Sequence, residues 1–215
     1  MGCADGLIRR ADQTVGSTVP PAVGRVRSVV VQRLSRAPST LNHEKSRPRR
    51  AATPSTESTA VITLRPVEAT DLDEFFSHQL DPSANHMAAF GAKNPSDRGV
   101  FDNHWQDILN DRRITVRTIL SDGHVVGSIL AYHDGEAPEI SYWIDRSRWG
   151  QGITTAAVGQ FLNEVTERPI RARAVADNAS SIRILERWGF QQVGETQGFA
   201  PARGAVVREL ILELP

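Results

Sequence analysis

Residues 139–154 read Glu-Ile-Ser-Tyr-Trp-Ile-Asp-Arg-Ser-Arg-Trp-Gly-Gln-Gly-Ile-Thr and join a strand, a turn and the start of a helix. Apolar and aromatic residues predict a strand over 139–145, followed by a turn over 146–152. Apolar residues at helical spacing predict a helix over 153–166, and 170–175 predicts another strand. A strand, a helix and a strand in succession form a βαβ crossover, which pairs its two strands in parallel.

The sequence on either side of this segment predicts further strands, mostly antiparallel. Residues 114–120 and 124–133 are rich in apolar residues, and the Ser-Asp-Gly between them is typical of a hairpin turn. The second of these strands leads through a short turn into 139–145. Strands are also predicted over 61–65 and 206–214. The expected fold is therefore mixed α/β, with a mostly antiparallel central sheet, a βαβ crossover and flanking helices.

Capping signals predict where helices outside the crossover begin. Thr70 followed by Asp73 resembles a capping box, and Ser96 can cap a second helix whose apolar residues form one buried face. A short helix is predicted over 180–188. Three tryptophans are predicted to lie in the core: Trp105, Trp143 and Trp188.

The balanced overall charge hides two unlike parts of the chain. All 215 residues together have zero net charge, but residues 1–60 carry +6 and residues 61–215 carry −6. The first part has no Phe, Trp or Tyr, so we expect a disordered basic tail over 1–60 and one folded domain over 61–215. A later translation start and an organellar transit peptide are the alternatives for the tail.

Cysteine content and hydropathy restrict compartment and partners. Cys3 is the single cysteine, and no apolar run is long enough for a secretory signal, so we expect a cytoplasmic protein without a membrane partner. A tail without aromatic residues could bind nucleic acid only electrostatically, and no nucleic-acid partner is expected. His78, Asp81 and His86 fit no common ligand spacing, so no metal is expected.

The turn at 149–154 carries the first functional signal. Its two glycines let backbone N–H groups converge on an anion at a helix N-terminus, and a pyrophosphate is the natural guest. No Gly-Lys-Ser/Thr follows, which excludes a nucleotide-hydrolase loop, and Thr155 stands where a dinucleotide fingerprint needs its third glycine. A tight turn that merely allows close helix packing is the alternative.

A second motif follows this turn, and the two together indicate a family. Residues 149–154 resemble the acyl-CoA loop Gln/Arg-x-x-Gly-x-Gly/Ala, with Trp149 and Thr154 as departures. Residues 178–190 read Asn-Ala-Ser-Ser-Ile-Arg-Ile-Leu-Glu-Arg-Trp-Gly-Phe, similar to Asn-x-x-Ser followed by Glu-Lys/Arg-x-Gly-Phe. Both motifs resemble those of the GCN5-related N-acetyltransferase (GNAT) superfamily, in particular its ribosomal-protein N-terminal acetyltransferases. The resemblance covers 61–215 and implies an N-acetyltransferase domain with the acyl-CoA N-acyltransferase fold.

The resemblance implies that acetyl-CoA binds as acyl donor in a cleft where strand 139–145 separates from strand 170–175. Backbone N–H groups of 150–154 would hold the pyrophosphate, Asn178 would bond the pantetheine, and N–H groups near Tyr142 and Trp143 would meet the oxyanion. The expected cofactor-binding residues are Tyr142, Trp143, Trp149, Gly150, Gln151, Gly152, Ile153, Thr154, Asn178 and Ser181.

The resemblance also implies direct attack of an amine on the thioester. Because Cys3 lies in the tail, an acyl-cysteine intermediate is not expected. Glu139 takes the position of the general base. Many family members place a catalytic Tyr where this chain has Leu185, so Ser181 is the candidate general acid. From the residues alone, Glu139 as a solvated strand-start carboxylate and Ser181 as a helix cap stay open as alternatives.

The chemistry of deprotonation favours one kind of acceptor. At pH 7 an α-amine with a pKa near 7.8 loses its proton for about 1 kcal/mol, whereas a lysine near 10.4 costs about 4.6 kcal/mol. We therefore expect an α-amine of a protein N-terminus or a small molecule as partner of acetyl-CoA, and a monomer or homodimer. An antibiotic- or polyamine-modifying acyltransferase and a non-catalytic acyl-CoA-binding module are the alternatives.

Overall fold

The computed structural model describes residues 60–133, 135 and 137–215. The predicted tail therefore lies outside the described residues, except for Ala60, and its disorder stays a prediction. The elements of the described part are β1 (Ile62–Arg65), α1 (Asp71–Gln79), α2 (Pro82–Ala88), α3 (Arg98–Asn110), β2 (Thr115–Ser121), β3 (His124–His133), β4 (Pro138–Ile144), α4 (Ile153–Glu164), β5 (Ile170–Val175), α5 (Ala179–Arg187), β6 (Gln191–Ala200) and β7 (Ala205–Leu214).

The strands of the described part form one sheet in the order β1-β2-β3-β4-β5-β7-β6. Every neighbouring pair is antiparallel except β4 and β5, which are parallel and joined through α4. This arrangement confirms the predicted mixed α/β fold and its βαβ crossover. It also places the parallel pair in the middle of the sheet, where helices can cover it from both sides.

The sheet is covered on both faces, each with its own apolar core. On one face, residues of β4 such as Ile140 and Tyr142 pack with Phe161 of α4 and Leu185 of α5. On the other face, the packing partners come from α1, α3 and β3: Phe75, Phe101, Trp105, Ile108, Leu130 and Tyr132. Because side chains alternate along a strand, Ile140, Tyr142 and Ile144 of β4 enter the first core, and the residues between them face the other side of the sheet.

Two of the predicted helix caps are wrong. Thr70 has helical backbone angles (φ −67°, ψ −21°) and makes no side-chain cap hydrogen bond, because a capping residue needs a non-helical backbone to reach the first turn. Asp97 rather than Ser96 caps α3 and accepts a hydrogen bond from the Val100 backbone N–H at 3.0 Å. The Ser96 hydroxyl is instead bonded to Asn94 Oδ1 at 2.8 Å.

Two elements were not predicted, and one tryptophan lies outside the core. Helix α2 spans seven residues, too few for a helical repeat to show, and β6 is a largely exposed edge strand without apolar alternation. Trp105 is buried as predicted, Trp143 is only partly buried, and Trp188 is 38% exposed. Its Nε1 donates to the Thr155 carbonyl at 2.9 Å, and its ring covers Gly159, where a Cβ would lie 2.2 Å from the ring.

A buried carboxylate fixes the start of α1 to the sheet. Asp71 accepts hydrogen bonds from both Arg65 guanidinium NH2 groups (2.6 and 2.7 Å), from the Glu68 backbone N–H and from the Thr118 hydroxyl. Burial alone would raise the pKa of Asp71, but these hydrogen bonds lower it below 3.8. As the pH falls, Asp71 is protonated in the unfolded chain before it is protonated in the folded protein. The stability that the carboxylate contributes is therefore lost as the pH falls through the lowered folded-state pKa.

We expect Asp71→Asn to lower the free energy of unfolding by about 3 kcal/mol at pH 7, because it leaves Arg65 without its buried partner. The variant should also lose less stability than the parent when the pH is lowered from about 5 to about 3. Urea unfolding across this range measures both effects. Asp111→Asn breaks a comparable but exposed pair with Arg113 (2.7 Å) and should cost much less, because water screens an exposed pair. Equal effects of the two substitutions would contradict the anchoring role of Asp71.

Among the described helices, none combines the length and the apolar composition that crossing a membrane requires.

Candidate active site

The parallel strands β4 and β5 separate after a very short contact. Their ladder pairs Glu139 with Arg171 and Ile140 with Ala172 and then ends, although both strands continue. On its other side β4 stays paired with β3 as far as Ile144. The divergence produces a cleft in the middle of the sheet, between the two strands for which a cleft is predicted from the sequence.

The turn after β4 presents the start of α4 at the end of this cleft. Gly150 and Gly152 have left-handed backbones (φ +76° and +77°), and Gly152 is the N-cap of α4 without any side-chain cap. Trp149 Nε1 donates to the Ile144 carbonyl at 3.0 Å and so ties the turn to β4. The first N–H groups of a helix have no partner within the helix, and the macrodipole adds positive potential, so this end is suited to an anion.

The predicted loop residues differ in what they can offer a ligand. Gly150, Gln151 and Gly152 are exposed, whereas the side chains of Ile153 and Thr154 are buried in the α4 packing. Ile153 and Thr154 can therefore contact a phosphate only through their backbone N–H groups. Their role in cofactor binding stays a prediction, carried by the backbone rather than by the side chains.

Three buried polar residues meet where α5 begins. Asn178 caps α5 by accepting from the Ser181 backbone N–H at 3.2 Å. The Ser181 hydroxyl shares a hydrogen bond of 2.7 Å with the Tyr142 phenol. The alternative that Ser181 caps the helix is wrong, because Asn178 is the cap. Burial raises the pKa of Tyr142 far above its ordinary value of 10, so the phenol keeps its proton at neutral pH.

Glu139 lies on the other face of β4, and it is not solvated. Its side chain is 3% exposed and accepts hydrogen bonds from the Tyr132 phenol at 2.8 Å and from Arg173 Nε at 2.9 Å. The Arg173 guanidinium also lies 3.9 Å from the Glu209 carboxylate. Burial alone would lower the pKa of this guanidinium, but its hydrogen bond to Glu139 raises that pKa. The alternative of a solvated strand-start carboxylate is therefore wrong, and the catalytic role of Glu139 stays a prediction.

The candidate base and acid thus lie on opposite sides of the same strand. Glu139 faces the α1 and α3 side with Tyr132, and Ser181 is held through Tyr142 on the α4 and α5 side. An amine that enters from the α1 and α3 side can therefore meet Glu139, and a thioester that lies along β4 can meet Ser181.

A cavity of about 420 Å³ opens on the α1 and α3 side of β4 and was not predicted. It is lined by Ser141 and Trp143 of β4, by Leu130 of β3 and by aromatic residues of α1 and α3. The apolar spacing of Phe101, Trp105 and Ile108 indicated a buried helix face in the sequence. That spacing does not distinguish a face that fills a core from one that leaves a cavity beside a strand.

No metal cluster is found in the described ranges: no group of three or more His, Cys, Asp or Glu side chains is placed to hold an ion. Among His78, Asp81 and His86, Asp81 has a structural role. It caps α2 by accepting from the Ala84 backbone N–H at 2.8 Å and pairs with Arg146 at 2.7 Å.

The sequence model of the acetyltransferase (GNAT) domain matches residues 62–191, which include both strands of the cleft and the turn between them. The chain belongs to the GNAT acetyltransferase family. The predicted resemblance is thereby confirmed, as is the prediction that this protein is an N-acetyltransferase. No curated protein sequence matches the chain significantly.

Solved GNAT structures share the fold at low sequence identity. RimJ of Mycobacterium smegmatis, solved in complex with CoA-disulfide, is 23% identical with a TM-score of 0.63, over 73% of this chain and 82% of that chain. A ribosomal-protein-alanine N-acetyltransferase from Brucella melitensis is 21% identical with a TM-score of 0.60 (71% and 98%). Spermidine N-acetyltransferase from Vibrio cholerae, solved with CoA and spermine, is 13% identical with a TM-score of 0.61 (71% and 94%).

Proposed function

We propose that this GNAT enzyme transfers an acetyl group from acetyl-CoA to an α-amine by direct attack. The observation that carries the proposal is the β4–β5 ladder, which ends after two residue pairs although β4 continues toward the glycine turn. A strand edge that is released from its neighbour can pair with the amides of a pantetheine arm. Related structures of the same fold hold CoA or CoA-disulfide.

The pyrophosphate of acetyl-CoA binds at the start of α4. The backbone N–H groups of residues 150–154 surround it, and the side-chain-free positions Gly150 and Gly152 allow close approach. Asn178 lies at the far side of the cleft, at the start of α5, and contacts the pantetheine. The N–H groups near Tyr142 and Trp143 receive the carbonyl oxygen of the thioester when it becomes an oxyanion.

The reaction forms one bond and breaks another. The amine nitrogen attacks the thioester carbonyl carbon, and the C–S bond breaks when the tetrahedral intermediate collapses to the amide. Glu139 accepts the proton that the amine loses, through a water molecule. The Ser181 hydroxyl donates a proton to the departing thiolate, and the hydrogen bond with Tyr142 holds that hydroxyl in place. Ser181 then recovers a proton from water, and Glu139 releases the proton that it accepted to solvent, which returns both groups to their starting states.

We expect Ser181→Ala to lower kcat about tenfold with little change in the affinity for acetyl-CoA. The effect is moderate because a thiol with a pKa near 8.5 leaves readily at neutral pH even without full protonation. Steady-state kinetics measures it, and Tyr142→Phe should produce a smaller loss of the same kind. Ser180→Ala changes a neighbouring serine in the same helical turn and is the control. Full activity of Ser181→Ala would remove this residue as the acid.

The acceptor is an α-amine of a protein N-terminus or a small molecule, since one carboxylate base is best matched to an amine with a pKa near 7.8. A polyamine- or antibiotic-modifying activity and a non-catalytic acyl-CoA-binding module are distinguished from it by one assay. Release of CoA thiol from acetyl-CoA is measured with peptides, amino acids, polyamines and aminoglycosides as acceptors. The non-catalytic alternative predicts thermal stabilisation by CoA without thiol release. Cytoplasmic location and a monomeric or homodimeric state remain further predictions.

A further inference from the structure

The cavity beside β4 has a floor made of aromatic and aliphatic side chains. Phe75, Phe101, Trp105, Ile108 and Leu130 line it, and each is at most 9% exposed. The rings pack on one another, with centroids 4.8 Å apart for Phe75 and Trp105 and 6.0 Å apart for Phe101 and Trp105. A volume of about 420 Å³ lies within the range of small-molecule sites and is large enough for an aromatic side chain.

The cavity adjoins the proposed catalytic carboxylate. Ser141 lines its wall, and Glu139 lies two residues earlier on the same face of β4, about 7 Å along the strand. This distance can be bridged by one water molecule bonded to the Glu139 carboxylate and to an amine nitrogen, together with the bond from that nitrogen to its α-carbon. A side chain held in the cavity can therefore leave its own α-amine within reach of Glu139 through water.

Besides Asp97, the polar side chains that line the cavity are uncharged at neutral pH: Gln79, Asn85, His104, Ser128 and Ser141. The structure describes all the lining residues, and Asp97 is the single carboxylate among them. Its side chain caps α3 by accepting a hydrogen bond from the Val100 backbone N–H. The Asn85 amide donates to the carbonyls of Gln79 and Asp81, and the Gln79 amide donates to the Pro95 carbonyl. A polyamine or aminoglycoside would place additional ammonium groups against apolar walls, which is costly.

We infer that this cavity receives an aromatic or bulky aliphatic side chain carried on the same carbon as the reacting α-amine. The inference rests on the proposed function and adds to it the class of acceptor. Burial of the side chain supplies binding energy, and the rings of Phe101 and Trp105 provide edges and faces for an aromatic guest. Small side chains leave the cavity unfilled, and a charged side chain would lose part of its hydration against the apolar walls.

The inference is tested first by binding, without any need for turnover. Calorimetric titration of the CoA-loaded protein with phenylalaninamide, alaninamide and spermidine measures three affinities. We expect phenylalaninamide to bind at least tenfold more tightly than alaninamide and than spermidine. Equal affinities of the two amides, or tighter binding of spermidine, would overturn the inference.

Turnover with the same three amines separates this inference from the proposed function. If phenylalaninamide binds selectively but no amine releases thiol from acetyl-CoA, the proposed function fails and the assignment of the cavity stands. If all three amines are acetylated with similar kcat/KM, the proposed function stands and the assignment of the cavity fails.

A substitution at the rim tests whether the cavity itself is responsible. Val100 lines the opening and is 54% exposed, so Val100→Glu adds a carboxylate without disturbing the buried floor. We expect the preference for phenylalaninamide over alaninamide to fall at least fivefold in this variant. Leu109→Glu is the matched control, because Leu109 is 44% exposed on the same helix and does not line the cavity. An unchanged preference in Val100→Glu, with both variants folded, would overturn the inference.

Discussion

Gly152→Val is expected to weaken CoA binding by at least about 100-fold. At φ +77° a β-branched residue is strongly disfavoured, so the turn must rearrange. A Cβ at Gly152 meets no protein atom within 4 Å, which means that it would occupy the space in front of α4. Loss of charge-assisted hydrogen bonds worth about 3 kcal/mol corresponds to the expected factor. Calorimetric titration with CoA measures the affinity.

Gly123→Val is the matched control for this experiment. Gly123 lies in the turn between β2 and β3 with φ +81°, and a Cβ there also meets nothing within 4 Å. The two substitutions therefore impose similar backbone strain, but only Gly152 lies at the start of α4. Thermal unfolding should shift by similar amounts in both variants. If CoA binds to Gly152→Val as tightly as to Gly123→Val, the pyrophosphate does not lie at this turn.

Glu139→Gln is expected to lower kcat about 100-fold and to leave the affinity for acetyl-CoA unchanged. The amide cannot accept a proton from the attacking amine, and general-base catalysis contributes a factor of this size. Glutamine keeps the shape of the side chain and an oxygen that can accept a hydrogen bond from Tyr132 or Arg173. The loss should be smaller at high pH, where a larger fraction of the acceptor amine is already neutral. A pH series of kcat/KM measures both effects.

A second carboxylate on the same face of the sheet is the control for Glu139. Glu213 of β7 pairs with Arg171 at 2.9 Å, as Glu139 pairs with Arg173. Glu213→Gln removes an ion pair of the same geometry away from the cleft, so kcat should remain within about twofold of the parent. If both variants lose activity equally, Glu139 acts on the stability of the β5 region. If Glu139→Gln is fully active, it is not the base.

Much of the fold could be predicted because local patterns and long-range pairing agree in the crossover. The strand over 139–145, the glycine turn and the helix from 153 appear with nearly the predicted bounds. Elements whose stability depends on their neighbours could not be predicted in this way. Strand β6 is held by its pairing with β7, and its sequence shows no alternation of apolar and polar residues.

The parts of the site that depend on local backbone conformation could be predicted from the sequence. The parts formed by side chains from distant segments could not. Glycines at a strand–helix junction indicate an anion site from sequence alone. The pairing of Glu139 with Arg173 joins residues 34 positions apart, and Tyr142 with Ser181 joins residues 39 apart. No spacing rule connects these pairs, so the sequence suggested a solvated Glu139 and a capping Ser181 as alternatives, and both were wrong.

The zero net charge of the whole chain is the sum of two oppositely charged parts. Residues 61–215 carry −6, which favours cationic acceptors by long-range attraction, and residues 1–60 carry +6. The zero net charge therefore describes neither the predicted tail nor the acetyltransferase domain. Long-range attraction of an α-ammonium to the domain is compatible with an apolar cavity, because the field acts during approach and the cavity acts on the bound side chain.

The measurement that tests the central claim most directly is thiol release from acetyl-CoA by the purified protein, with mass spectrometry of the products. We expect thiol to appear only when a primary α-amine is present, in a one-to-one ratio with the N-acetylated amine. We also expect the protein itself to remain unacetylated during turnover, because transfer is direct. Binding of CoA without thiol release for any amine, or release that proceeds through an acetylated protein, would contradict the account.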